Sequence, residues 1–211
     1  MKYRICLTPW TDVIGGDYIS IPRISSGNVP WGKGLATSAA FYLGKLGKGG
    51  DVRKAMEMEK EEKGTSCGLG DFIALSMDEP AIIHFADGGN FAGTDIFDQS
   101  IFACLSVIVP DTEKDNVAIR DRVASLPEKT RKGYAEVTRT YAAKLGKTGC
   151  PNELGNFLNE VQADRDRFLD IPYTVAKKLI VALAETRTIY GACVSGGGDG
   201  AIACVFKEGL L

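Results

Sequence analysis

The segment Pro30-Trp-Gly-Lys-Gly-Leu-Ala-Thr-Ser-Ala-Ala40 has the residue types and spacing to hold an anion. Gly32 and Gly34 let the backbone turn sharply and approach a ligand closely. The residues after Gly34 open a helix, whose first N–H groups lack partners and whose N-terminal end carries the positive end of the dipole. Thr37 and Ser38 set hydroxyls at that end, for phosphate oxygens or for the Mg2+ that accompanies them. The same residues also suit a plain Ser/Thr-capped helix packed closely on a sheet. The spacing is not the Gly-x-x-x-x-Gly-Lys-[Ser/Thr] of a P-loop.

Two further segments carry chemistry. In Glu59-Lys-Glu-Glu-Lys-Gly-Thr-Ser-Cys-Gly-Leu-Gly-Asp71 the glycines hold Asp71 at a turn before an apolar run, where a carboxylate can point into a cleft. Glu59 ends the preceding helix. One carboxylate that accepts a hydroxyl proton and another that holds Mg2+ are the groups phosphoryl transfer needs, because the rest of that reaction is positioning and charge stabilisation. Asp71 as a helix cap and Glu59 as part of a solvated face is the alternative. In Gly191-Ala-Cys-Val-Ser-Gly-Gly-Gly-Asp-Gly200 the run of glycines implies left-handed geometry or close backbone approach. It serves either an anion or a tight hairpin.

These segments need elements to hold them. Tyr3 to Leu7 reads as a strand, and Leu35 to Leu46 as a helix that stops at Gly47-Lys-Gly-Gly50. Asp51 caps a second helix, Val52 to Lys63. Phe72 to Met77 fits helix or strand, and Ala81 to Phe85 a strand in which the lone His84 is expected to be a core residue. A soft boundary falls between Phe91 and Asp98. Ile101 to Val109 reads as a buried strand, and Asp111 to Gly146 as charged helix broken at Pro127 and Gly133. A helix from Leu154 to Phe168, a second starting near Pro172 and running to about Arg187, and a strand from Ala201 to Phe206 complete an α+β pattern.

Composition sets the class. The 211 residues carry a formal charge of −2 with acids and bases interspersed, unlike the basic stripe of a nucleic-acid binder. No stretch approaches the ~20 apolar residues of a membrane span. The six cysteines include no Cys-x-x-Cys pair, which points to reduced thiols and a soluble cytoplasmic protein rather than a disulfide or zinc scaffold.

In order along the chain, the three segments resemble the GHMP kinase superfamily, which includes galactokinase, homoserine kinase, mevalonate kinase and phosphomevalonate kinase. Pro30 to Ala40 is similar to the family's Pro-x-x-x-Gly-Leu-Gly-Ser-Ser-Ala motif, with Ala36-Thr37 in place of Gly-Ser. The resemblance implies that Gly32, Lys33, Gly34, Leu35, Ala36, Thr37, Ser38 and Ala39 bind the phosphates of ATP, and that Ser38 and Glu59 hold Mg2+. Cys67-Gly-Leu-Gly-Asp71 is similar to the Gly-x-x-Asp form of galactokinase and fucokinase, making Asp71 the catalytic carboxylate. Gly191 to Gly200 resembles the C-terminal glycine loop, with Asp199 at a glycine position, and places Ser195, Gly196, Gly197 and Gly198 at the substrate. Tyr3 to Asp12 resembles the start of fucokinase and heptose-kinase relatives. On that match Arg4 is the cation near Asp71 and Asp12 meets substrate hydroxyls, while Trp10 reads equally as core.

The implied fold has two lobes, a shortened ribosomal S5 domain 2-like one over residues 1–95 and a ferredoxin-like one over 96–211. Only a short connection joins Asp12 to Pro30, where relatives carry several more strands. The implied activity is ATP-dependent phosphorylation of a hydroxyl, first of a sugar, with mevalonate-type or homoserine-type alcohols and a non-catalytic nucleotide- or sugar-binding member as alternatives. The implied partners are ATP and a small molecule, with no nucleic acid and no membrane, and a homodimer stays open.

Overall fold

In the computed structural model, which describes residues 2–47, 49–64, 68–98, 100–111, 116–171, 175–198 and 200–207, the elements form two antiparallel sheets with helices packed between and around them. The first sheet holds β1 (Lys2–Cys6), β2 (Gly16–Ile24), β3 (Ala81–Ala86) and β4 (Asn90–Ile96) in that spatial order. The short helix α1 (Thr11–Ile14) links β1 to β2, and helices α2 (Thr37–Leu46), α3 (Val52–Lys63) and α4 (Leu69–Ser76) lie between β2 and β3. The second sheet holds β5 (Leu105–Ile108), β6 (Ile189–Val194) and β7 (Ile202–Phe206), with β7 central. Helices α5 (Asn116–Ala124), α6 (Glu128–Leu145), α7 (Pro151–Leu169) and α8 (Val175–Glu185) fill the chain between β5 and β6.

Strands β1 to β3 of the first sheet are covered on both faces, in keeping with the almost unbroken apolar sequence Ala81-Ile-Ile-His-Phe85, whereas β4 is an exposed edge. Ile5, Leu7, Ile19, Ile21 and Ile82 face α6 and α7, packing with Tyr141, Leu145, Leu154, Phe157 and Leu158. The alternate residues Cys6, Tyr18, Ile83 and Phe85 pack on Ala74 of α4. Cys193, Ala203 and Val205 of the second sheet belong to the same core as Ile5 and Leu7, so the two sheets share one apolar interior. A third cluster joins α2, α3 and α4 through Ala39, Tyr42, Ala55 and Phe72.

Several expectations change. The stretch between Asp12 and Pro30 contains the nine-residue strand β2, hydrogen-bonded to both β1 and β3, rather than a mere connection. The region of the expected boundary, Phe91 to Asp98, is largely the edge strand β4. Ile101 and Phe102 lie in a 3-10 turn, so β5 starts only at Leu105. Gly133 does not break α6; it lies against the Phe168 ring, where a larger residue would collide. Residues Ile189–Val194, which include the first four residues of the C-terminal glycine segment, form strand β6. Phe72 to Ser76 is helical, and Pro172 lies outside the described residues. Among those residues no helix is long and apolar enough to cross a membrane.

His84 is also corrected. It is half-buried rather than core, on the α6 face near the open end of the sheet, where its Nδ1 lies 2.8 Å from Asp17 Oδ1 and its Nε2 3.1 Å from Asp95 Oδ2. Burial pulls its pKa down, but the hydrogen bonds and charges of both carboxylates outweigh this, and the net shift is upward. A raised folded-state pKa adds stability that is complete below the unfolded value of about 6.5 and is lost as pH rises through the folded pKa. Thermal denaturation across pH 5 to 9 should therefore show a His84-dependent decline on the alkaline side that H84Q lacks; parallel curves for the two proteins would refute it.

Candidate active site

A cavity of about 410 Å3 lies where α2, α3, α4 and the loop after β6 converge. It brings the three segments together: Gly32 and Gly34 to Ser38, then Glu59, Gly68 and Asp71, then Gly196 and Gly197, with Trp10 and Asp12 on the wall. A wider, open groove of about 980 Å3 over α6, Arg167 and Phe168 contains none of them.

The helix α2 starts at this cavity because the backbone before it is left-handed at three residues, Gly32 (φ 71°), Gly34 (φ 74°) and Ala36 (φ 54°). Ala36 is the N-cap and has no side chain to cap with, so the N–H groups of Thr37, Ser38 and Ala39 have no helical acceptor and point at the cavity end. This turn is clasped by the loop after β6. Ser195 Oγ donates to Gly34 O at 2.9 Å and accepts from Cys6 N–H at 3.1 Å. A Cβ on Gly196 would come within 2.6 Å of Gly34 Cα, and one on Gly34 would run into the Ser195 carbonyl. Arg165 of α7, fully buried, donates to the carbonyls of Val194 and Gly196 and fixes the loop from behind.

Asp51 accepts the N–H groups of Arg53 and Lys54 at 2.7 and 3.2 Å and so starts α3. Ala55, one turn before Glu59, turns the same face to the core, which buries Glu59 to 3% exposure. Ser38 Oγ donates to Glu59 Oε1, and Lys63 Nζ donates to Ser38 Oγ at 2.7 Å. A hydroxyl and a carboxylate are hard oxygen donors of the kind that hold Mg2+ beside substrate phosphates. Among the described residues no three His, Cys, Asp or Glu side chains cluster as a full metal cage, so this pair fits an ion that phosphates and water also ligate.

Asp71 stands in the first turn of α4, where its charge suits the helix dipole. The buried Tyr18 of β2 donates its hydroxyl to Asp71 Oδ1. Burial first, then the Asp71 charge, drives the Tyr18 pKa far up, so it is a fixed donor at neutral pH. Asp12 lies at the same helix end, packed so tightly on Gly68 that any side chain there would collide with it. Burial raises the Asp12 pKa, against the charge of Arg120 and the N–H groups of Gly70 and Leu69, and its Oδ2 has no hydrogen-bond partner among the described residues.

Some expected residues lie elsewhere. Arg4 is not at the Asp71 carboxylate: its buried guanidinium donates to Met77 O and, at 3.1 Å, to Glu79 O, beyond the opposite end of α4, and burial lowers its pKa to about 10. Ser195 is fully buried and engaged in the clasp, and Gly198 is buried off the cavity wall. Lys33 is turned away, its carbonyl accepting Ala201 N–H at 2.7 Å and its Nζ 4.0 Å from Asp111. The Ala39 side chain is core, leaving only its N–H to serve. Asp199 and Cys67 lie outside the described residues.

The residues that sequence reasoning missed are Tyr18, Trp31, Lys63 and Arg120, all on the cavity wall. Lys63 had a signal, since it follows Glu59 by four residues and shares its helix face, and Trp31 lies inside the Pro30–Ala40 segment. Trp10, open between core and site, is at the wall, with its Nε1 donating to Gly197 O at 3.2 Å.

No protein-family model and no curated protein sequence matches the chain. Solved structures do match. The Methanococcus jannaschii mevalonate kinase superposes with a TM-score of 0.68 at 12% identity, over 99% of this chain and 90% of that one. The Lactococcus lactis galactokinase, solved with galactose, gives 0.64 at 13% identity, over 97% and 85%. The L. major mevalonate kinase, solved with R-mevalonate, gives 0.61 at 15% identity, over 87% of this chain and 60% of that one. The chain therefore has the α+β fold of the GHMP kinases.

The clasp makes a direct prediction. Gly34→Ala combines a left-handed φ with a collision against Ser195, so it should lower unfolding free energy by about 2 kcal/mol or more. Gly44→Ala, in α2 with nothing near its Cβ position, is the control and should be neutral or stabilising in urea denaturation.

Proposed function

We propose that the chain is an ATP-dependent small-molecule kinase that phosphorylates a hydroxyl group. The observation that carries this reading is the meeting, in one cavity, of the α2 N-terminus, the Ser38–Glu59 pair and Asp71. An anion-binding helix end, a hard-cation pair and a carboxylate base are the three components of phosphoryl transfer.

In this reading the N–H groups of Gly34 to Ala39 and the backbone of Gly196 and Gly197 bind the phosphates of ATP. Ser38 and Glu59 would hold Mg2+, which would neutralise phosphate charge when bound. Asp71 accepts a hydrogen bond from the acceptor hydroxyl, orients its oxygen toward the γ-phosphorus and takes its proton as the new P–O bond forms and the bond to ADP breaks. Tyr18 keeps the Asp71 carboxylate in place from the opposite side. With Arg4 engaged beyond the far end of α4, Lys63 and Arg120 are the cations on the wall to meet the transferred charge. Asp12 lines the substrate end. The lobes are assigned to residues 1–95 and 96–211.

A sugar is the preferred acceptor, supported by Gly68-Leu-Gly-Asp71 and by the likeness to a galactokinase solved with galactose. The likeness to a mevalonate kinase solved with R-mevalonate keeps that alcohol in the test. ADP release should be followed across sugars, mevalonate and homoserine. Asp71→Asn should lower kcat on the accepted substrate by about 10^2- to 10^4-fold with ATP binding retained. Unchanged turnover in that variant would remove Asp71 from the reaction, and ligand binding without turnover on any substrate would make the chain a binding protein.

A further inference from the structure

Glu59 is a buried carboxylate, and a buried charge needs a partner. Part of that partnership comes from Lys63, whose ammonium donates to Ser38 Oγ at 2.7 Å and stands 3.9 Å from Glu59 Oε1. The same ammonium lies 4.6 Å from the Trp31 ring centroid and 5.5 Å from that of Tyr42. Two oxygens and two aromatic faces thus make a seat for one cation, and the oxygens are those assigned above to Mg2+.

Resting on that assignment, we infer that Lys63 is a tethered counter-ion of the Ser38–Glu59 pair, which a divalent cation must displace in order to bind. A metal ion ligated by Ser38 Oγ sits about 2.0 to 2.1 Å from that oxygen. An ammonium 2.7 Å from the same oxygen would face it as a like charge at close range. The lysine side chain is 40% exposed and sits on the cavity wall, so its stem can carry the charge outward to anionic oxygens in the cavity. Two consequences follow. The nucleotide-free protein binds divalent metal weakly, because Lys63 already holds the site. Phosphates that arrive with the metal give the displaced ammonium a new partner, which couples metal loading to nucleotide loading.

The test uses Mn2+ alone, with free ion measured by electron paramagnetic resonance on the full chain without nucleotide. Lys63→Met and Lys63→Gln should each bind Mn2+ about three- to ten-fold more tightly than the unaltered protein, the scale of removing one half-exposed ion pair and one like charge. Tryptophan emission should shift when Mg2+ is added to the unaltered protein, as the ammonium leaves Trp31, and this component should vanish in both variants. Equal or weaker Mn2+ binding by two folded variants, with binding still lost in Glu59→Gln, would overturn the inference and leave the metal site standing. Absence of Mn2+ binding in every protein, with and without ATP, would overturn both.

Discussion

The site depends on one close contact between two stretches of backbone, Gly34 on one side and Ser195–Gly196 on the other, 161 residues apart in sequence. Side chains of ordinary size cannot lie between them, so glycine at both positions is a packing requirement. The contact is secured from three directions: Ser195 Oγ bridges Gly34 O and Cys6 N–H, Gly196 N–H donates to Cys6 O at 2.9 Å, and Arg165 holds the Gly196 carbonyl at 2.6 Å. Through these bonds the second sheet fixes the turn that starts α2. The direction of α2 then decides where its free N–H groups and Ser38 point.

Around that frame three carboxylates are given different surroundings. Glu59 is buried but faces a hydroxyl and an ammonium. Asp71 stands at a helix N-terminus and accepts from a phenol that stays protonated. Asp12 is enclosed by Gly68 and the first turn of α4, and burial pushes its pKa upward.

The segments that build the cavity were legible because each carries glycine at a position of local backbone stress or close approach. Gly34, Gly68 and Gly196 all prove to be places where a Cβ would collide. Elements with ordinary periodicity were also legible, among them α3 with its Asp51 cap. Less visible was β2, hidden in what read as a short connection from Asp12 to Pro30; Gly15 and Gly16 at its start both have positive φ, and Gly16 lies against Ala135 of α6. The role of Arg4 was hidden for a different reason. A motif places a residue along the chain, whereas the direction of its guanidinium is set by carbonyls at Met77 and Glu79 that no local pattern reveals. Tyr18 and Arg120 reach the cavity only through tertiary packing, and neither lies in a motif.

In the proposed function the clasped loops form one nucleotide-phosphate site. Backbone amide NMR during titration with ATP and Mg2+ tests it most directly. The amides of Gly34 to Ser38 and those of Gly196 and Gly197 should shift together along a single saturation curve, with α6 and its open groove unaffected. Saturable shifts confined to the α6 groove, or movement of only one of the two loops, would contradict it.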